Sequence, residues 1–197
     1  MRELGIEISG RTFHLIVANE ESDYSSIEKI NNSQNLSGNR IIDLPKSAIY
    51  KNTKELFSLQ SDKIGNENYL VQDSLTQFNW ELTREAKTIL GFPVRKAMTT
   101  NKNAMVTAWF SPQLKFNTGP DQFWGLPGLI LEIESRVNVD DKESVRAFIA
   151  VEVEVISDSQ KLRPSNGKLI SKEKFNEKVK VYREKRDEMY SGGVDKD

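Results

Sequence analysis

The chain contains no cysteine and one histidine, His14, among its 197 residues. The absence of cysteine excludes disulfides, thiol nucleophiles, iron–sulfur clusters and cysteine zinc sites. A Ser-His-Asp triad would have to use His14. That residue alternates with Phe13 and Leu15 in a strand-like run. We therefore interpret His14 as a half-exposed strand residue without a catalytic role, and we predict neither a metal site nor a cofactor.

The chain also lacks an excess of charge of either sign, since 28 basic and 29 acidic residues give a formal net charge of −1. The basic residues are interleaved with acids, as in SKEKFNEKVKVYREKRDE. Because no basic patch is evident, we expect no nucleic-acid partner. No apolar run reaches the length of a bilayer span. The first ten residues, MRELGIEISG, carry acids where a secretory leader would be apolar, so we expect a mature or trimmed chain.

Short runs of alternating apolar and polar residues, bounded by turn residues, predict that most of the chain forms β-strands. The clearest runs are AMVTAWFS, LILEIESRV and VRAFIAVEVEVIS. Weaker signals predict that SAIYKN and KELFSLQSDKIG form a hairpin, with Lys51, Asn52 and Thr53 between its strands. Another strand is predicted in NENYLVQDSL. Two further strands joined by a short turn are predicted in FNWELTREAKTILGFPVRKAMTT. A polar loop is predicted over residues 31–39, NNSQNLSGN.

One helix is predicted near the end of the chain, over Ser171–Met189. Ser171 suits the N-cap, and Phe175, Val179 and Tyr182 form one apolar stripe at helical spacing. The expected fold class is mainly β (α+β), a curved antiparallel sheet or half-barrel with one long C-terminal helix. Because no repeat or linker divides the sequence, we expect a single domain over residues 1–197, with 1–10 and 191–197 frayed.

The stretch FWGLPGLILEI, residues 123–133, places glycine and proline directly before an apolar run. Leu126-Pro127-Gly128-Leu129 fits a type II turn, with Gly128 supplying the positive φ that its third position requires. Gly125 would allow a close approach to the backbone. The glycine spacing matches neither common phosphate-binding pattern. This predicts a structural corner that leads into a strand.

The hexapeptide GLPGLI, residues 125–130, resembles the motif that names the GLPGLI family, secreted proteins of unknown activity from Gram-negative bacteria. FNWELTREAKTILGFPVRKA and TAWFSPQL also resemble the family pattern. The resemblance implies a periplasmic or outer-membrane-associated protein, beside an outer-membrane transporter. Many members carry a cysteine near Val94, and this chain does not. A thiol role is therefore not implied.

Two functions from different classes remain open. The first is a non-enzymatic binding or accessory module of the cell envelope. It would hold a lipid, a peptide or a partner segment on a concave aromatic face lined by Trp109, Phe116, Phe123 and Trp124, or on the loop 112–128. Each of these aromatics could instead belong to the core. The second is a hydrolase whose catalytic carboxylates are not identified by any sequence motif. It is less favoured because no catalytic motif is present.

Overall fold

The computed structural model describes residues 12–26, 48–139, 142–156 and 162–191. Within these ranges it contains eleven strands and one helix. This confirms the expected mainly β fold with a C-terminal helix. The strands divide between two sheets rather than forming one. The predicted loop 31–39 and the predicted frayed ends 1–10 and 191–197 lie outside the described ranges, except for Ser191, which ends the helix.

The described elements are eleven strands followed by one helix. In chain order they are β1 Phe13–Ala18, β2 Glu21–Ser26, β3 Ile49–Asn52, β4 Phe57–Ile64, β5 Glu67–Ser74, β6 Glu81–Ile89, β7 Phe92–Asn101, β8 Ala104–Ser111, β9 Leu129–Val139, β10 Lys142–Ile149, β11 Lys168–Ser171 and α1 Lys172–Ser191. The first sheet has the order β1-β2-β3-β4-β5-β11, and the second has the order β10-β9-β8-β7-β6. Only β11 and β5 are parallel among the pairs in these ranges.

Most of the predicted strands are confirmed. The hairpin forms from β3 and β4, although Lys51 and Asn52 belong to β3 rather than to its turn. β6 and β7 are joined through Leu90 and Gly91, whose φ angles are 49° and 81°. β8 covers the predicted run AMVTAWFS.

The prediction of one long strand through VRAFIAVEVEVIS is wrong beyond Ile149. β10 pairs with β9 as far as Ile149 opposite Glu132, and the next amide, that of Ala150, donates to the Leu131 carbonyl over 2.7 Å. β9 begins at Leu129, directly after the corner at Gly128. In the same register Val151 and Glu152 would lie opposite Ile130 and Leu129, but the amides of those two residues donate to the Thr118 and Leu114 carbonyls of the loop. Residues beyond Glu152 run past the start of β9, and no described strand pairs with them.

The helix begins where the sequence predicts. The amide of Lys174 donates to the Ser171 hydroxyl oxygen over 3.4 Å, which confirms Ser171 as the N-cap. Phe175 is buried against Tyr69, with ring centroids 5.7 Å apart, and Val179 packs beside it. Tyr182 is 46% exposed, so the apolar stripe is buried only at the start of the helix. α1 therefore covers one part of the first sheet, over β5.

The corner at residues 126–128 differs in type from the prediction. The Gly128 amide donates to the Leu126 carbonyl over 2.8 Å, which is the hydrogen bond of a γ-turn centred on Pro127. Gly128 does have a positive φ, 158°. A Cβ atom there would lie 2.2 Å from the Ser111 carbonyl oxygen. Glycine is required because two backbone segments approach each other too closely for any side chain.

Candidate functional site: a polar cleft beside the loop 112–128

Two of the four predicted binding aromatics are core residues. Phe123 is 5% exposed and Trp124 is 7% exposed. The Trp124 indole nitrogen donates to the Thr76 carbonyl over 2.7 Å, and the Trp80 indole nitrogen donates to the Trp124 carbonyl over 2.8 Å. The expected position of these residues on an exposed wall is therefore wrong. The alternative that the sequence left open, aromatics folded inward over the sheet, is the one observed.

Trp109 lies on the opposite face of the second sheet. It alternates along β8 with Ala108 and Phe110, which are buried in the same inner cluster as Phe123. Trp109 is half-buried, and the Lys87 ammonium lies 4.3 Å from its ring centroid. Phe116 is half-buried in the loop. The structure therefore does not bring Trp109, Phe123 and Trp124 together on one surface.

The loop 112–128 is held to the first sheet by a buried lysine that sequence reasoning missed. Lys51 is fully buried. Its ammonium donates to the backbone carbonyls of Gly119, Asp121 and Phe123 over 2.6, 2.8 and 2.9 Å. Burial lowers the pKa of Lys51 to about 7, and the nearby Asp121 carboxylate opposes that shift. Since an ammonium has three donors, all of them are used in binding the loop.

Further contacts join the same loop to the first sheet. The hydroxyls of Ser22 and Thr118 share a hydrogen bond of 3.0 Å, and the Thr53 hydroxyl donates to the Asn117 side-chain oxygen over 2.9 Å. Arg146 on β10 forms an ion pair of 3.0 Å with Asp121. These contacts connect the two sheets through polar groups. The loop is consequently a fixed structural element.

A cleft of about 320 Å³ lies beside this loop, on the face of the first sheet that carries Lys51. The strand register places Ile49, Gln60 and Val71 side by side, and Lys51, Ser58 and Asp73 likewise, so these side chains share one face. Asp121, Gln122 and Arg146 form the wall on the loop side, and Lys172 from the start of α1 forms the facing wall. Ser74, Leu75 and Thr76 complete the lining.

The cleft is polar and carries charges of both signs on its walls. On the loop side, Arg146 pairs with Asp121. On the helix side, the Lys172 ammonium lies 3.9 Å from the Asp73 carboxylate. The Arg146 side chain is 64% exposed, so its guanidinium can turn toward a bound molecule. No aromatic residue is among the described lining residues.

A second groove, of about 530 Å³, adjoins the cleft at Asp73 and Ser74. It runs along the start of α1, and its lining adds Phe57, Gln72, Leu169, Ile170, Ser171, Glu173 and Lys174. The two depressions share Asp73 and Ser74, at the end of β5. We call the depression of about 320 Å³ the polar cleft.

The described residues provide little for acid–base chemistry. They contain no group of three or more His, Asp or Glu side chains able to hold a metal ion. His14 is exposed on β1. The Tyr24 hydroxyl is buried with no hydrogen-bond partner among the described residues, and burial, followed by the Asp121 charge, raises its pKa. The carboxylates of the polar cleft, Asp73 and Asp121, are each held in an ion pair.

Comparison with known proteins gives a partial family match and a shared fold. A family model described as a protein of unknown function (Porph_ging) matches residues 96–132, from β7 through the loop into β9. No curated protein matches the chain. The structure of PNGF-II, in its P21 and C2 crystal forms, is similar at 20% sequence identity and a TM-score of 0.60.

The likeness to PNGF-II covers 90% of this chain and 31% of that one. The chain thus spans about a third of the length of that protein, in which the same fold is one part of a longer polypeptide. At this level of identity the likeness shows the fold alone. In the described part of the chain, no helix combines the length and apolarity needed to cross a membrane.

Proposed function

We propose that the protein is a non-enzymatic binding module of the cell envelope and that the polar cleft binds a short polar peptide. The observation that carries this proposal is the placing of an ion pair on each wall of a cleft whose floor is a regular sheet. The walls come from a loop fixed by Lys51 and from a capped helix. Groups held on such rigid elements are suited to binding without a large ordering cost.

The lining favours a peptide over a lipid. Binding pockets for small molecules commonly have volumes of about 300–1,000 Å³, and the polar cleft lies at the small end of that range. Side chains of Ser58, Gln60 and Gln122 offer both donors and acceptors, which suit the amide groups of a peptide backbone. The Arg146 and Asp73 charges suit its two termini. An acyl chain would leave these polar groups without partners, which is costly.

The placement in the envelope rests on the sequence. We propose that the chain is a relative of the GLPGLI family, located in the periplasm or at the outer membrane, where an outer-membrane transporter is its partner. The hexapeptide at residues 125–130 and the family-model match over residues 96–132 support this. A hydrolase using unmarked carboxylates has less support, because Asp73 and Asp121 are paired with cations on opposite walls.

Isothermal titration calorimetry with defined ligands tests the proposal. The probes are the tetrapeptide Ser-Gln-Gln-Ser with free termini, the same peptide with blocked termini, and sodium laurate. We expect the free peptide to bind, the blocked peptide to bind more weakly and laurate to give no heat of binding. Arg146→Gln should weaken the free peptide by about tenfold, the effect of losing one hydrogen-bonded charge contact.

The control is Arg84→Gln, the same substitution on the exposed strand β6 outside the cleft. It should leave peptide affinity unchanged. Binding of laurate without binding of either peptide would contradict the proposal. So would equal loss of affinity in the two arginine variants, because that result would reflect net charge rather than the cleft.

A further inference from the structure

The segment 150–156 has the sequence of a strand, and no strand of the described residues 12–26, 48–139, 142–156 and 162–191 lies paired with it. Its last hydrogen bond to β9 is the one made by the Ala150 amide. Val151 is 78% exposed, Val155 is fully exposed and Ile156 is 50% exposed. Large apolar side chains at this level of exposure in one contiguous segment commonly mark an interaction surface. This feature is separate from the polar cleft.

The local sequence favours an extended conformation ready to pair. Val and Ile alternate with Glu152 and Glu154, and β-branched residues prefer strands. Val153 packs against the outer cluster of the second sheet, formed by Ile89, Val94 and Leu131, which holds the middle of the segment in place. Proteins usually protect an unpaired edge with charged side chains, lysine above all, with proline or with a bulge, and the charges in this segment are those of Glu152 and Glu154. Residues 150–156 contain neither lysine nor proline.

The charges of the segment determine which partner it can accept. In an extended chain Glu152 and Glu154 project to the same side. If two copies paired antiparallel about Val153, Glu152 of each would face Glu154 of the other. If the two copies paired parallel and in register, each glutamate would lie opposite the same glutamate of the other copy. Like charges directly opposite one another destabilise a strand pair, so a second copy is disfavoured.

We propose that residues 150–156 bind, by strand addition, an extended segment of another protein that carries Lys or Arg at every second position. Backbone hydrogen bonds would form between residues 150–156 and the partner segment, and the two glutamates would select its basic side chains. The apolar residues of the partner would cover the exposed valines.

Fluorescence anisotropy with labelled peptides and the full chain tests this. The basic peptide is Thr-Val-Lys-Val-Lys-Val-Thr, and the matched acidic peptide replaces both lysines with glutamate. We expect the basic peptide to bind more tightly by about tenfold, since two opposite-charge pairs replace two like-charge pairs. The double variant Glu152→Lys with Glu154→Lys should reverse the preference. Glu177→Lys with Glu184→Lys, on the exposed face of α1, is the charge-matched control and should not.

Backbone pairing is tested separately by N-methylating the valines of the basic peptide. Loss of binding is expected, because N-methylation removes the amide donors that a strand pair needs. Retained binding would overturn the proposal, since it would show attraction between charges without strand addition. Concentration-dependent dimers of the free chain in sedimentation, abolished by the Glu152 and Glu154 double variant, would also overturn it in favour of a second copy.

Discussion

Replacing Lys51 by methionine tests whether one buried ammonium holds the loop 112–128 in place. Methionine nearly preserves the length of the side chain and removes its donors. The three carbonyls that Lys51 binds, those of Gly119, Asp121 and Phe123, would then lose their charged partner. We expect Lys51→Met to destabilise the fold and to loosen this part of the loop.

The expected loss of folding stability is the balance of two opposing contributions. A buried carbonyl that loses its hydrogen bond costs about 1–3 kcal/mol, so three carbonyls set an upper range of about 3–9 kcal/mol. Removing the ammonium also relieves the cost of burying a charge, which is several kcal/mol. We therefore expect a net loss of about 2–4 kcal/mol.

Chemical and thermal unfolding at about pH 6, below the lowered pKa, measure this loss. For a chain of this size it corresponds to a fall in Tm of about 5–15 °C. The control is Lys54→Met, an exposed lysine in the turn that follows β3, which should change stability by less than about 0.5 kcal/mol. Equal stability of the two variants would show that the carbonyls do not depend on the ammonium.

The same lysine gives a pH dependence with a defined sign. Its folded-state pKa, about 7, lies below its ordinary value. Between pH 7 and about 10.5 the unfolded chain therefore binds more protons than the folded chain, and stability rises with pH. The free energy of unfolding of the wild type, relative to Lys51→Met, should increase over this interval. A decrease in this free energy would mean that the three backbone carbonyls bound by Lys51 raise its pKa above the ordinary value.

Three further substitutions test the packing of the loop and the helix. Gly128→Ala places a Cβ on the Ser111 carbonyl and should cost about 2–5 kcal/mol in denaturant unfolding, whereas a change within error would contradict the close approach. Trp124→Ala empties a buried site and should cost about 3–5 kcal/mol, and an unchanged Tm would show that the indole is not core. Phe175→Ala should cost about 3–5 kcal/mol in the same assay and raise amide exchange early in α1, and protection equal to the wild type would contradict its anchoring role.

Local signals were sufficient to predict most elements. The alternation in AMVTAWFS predicted β8, and Ser171 with Phe175 predicted the start and the buried side of α1. These patterns depend on residues within a few positions of each other. The strand predicted through VRAFIAVEVEVIS ended at Ile149. Its continuation depends on the free backbone groups of β9, and the amides of Leu129 and Ile130 are bound by the distant loop, which the alternation itself does not encode.

The candidate site depended on contacts between distant residues. Lys51 binds carbonyls 68–72 positions away, and nothing in its local sequence distinguishes it from an exposed lysine. The polar cleft joins Gln60, Arg146 and Lys172 from separate parts of the chain. The aromatic loop was interpreted as an exposed binding edge because loops are usually polar and superficial. Phe123 instead packs in the inner cluster of the second sheet, and Trp124 is buried with its indole nitrogen donating to the Thr76 carbonyl.

The most direct test of the central proposal is a two-dimensional ¹H–¹⁵N NMR titration of the full chain with free Ser-Gln-Gln-Ser. We expect saturable shifts confined to the lining of the polar cleft, in the signals of Gln60, Asp73, Gln122 and Arg146. Shifts centred instead on Trp109 and its outer face, or no saturable shift at any accessible peptide concentration, would contradict it.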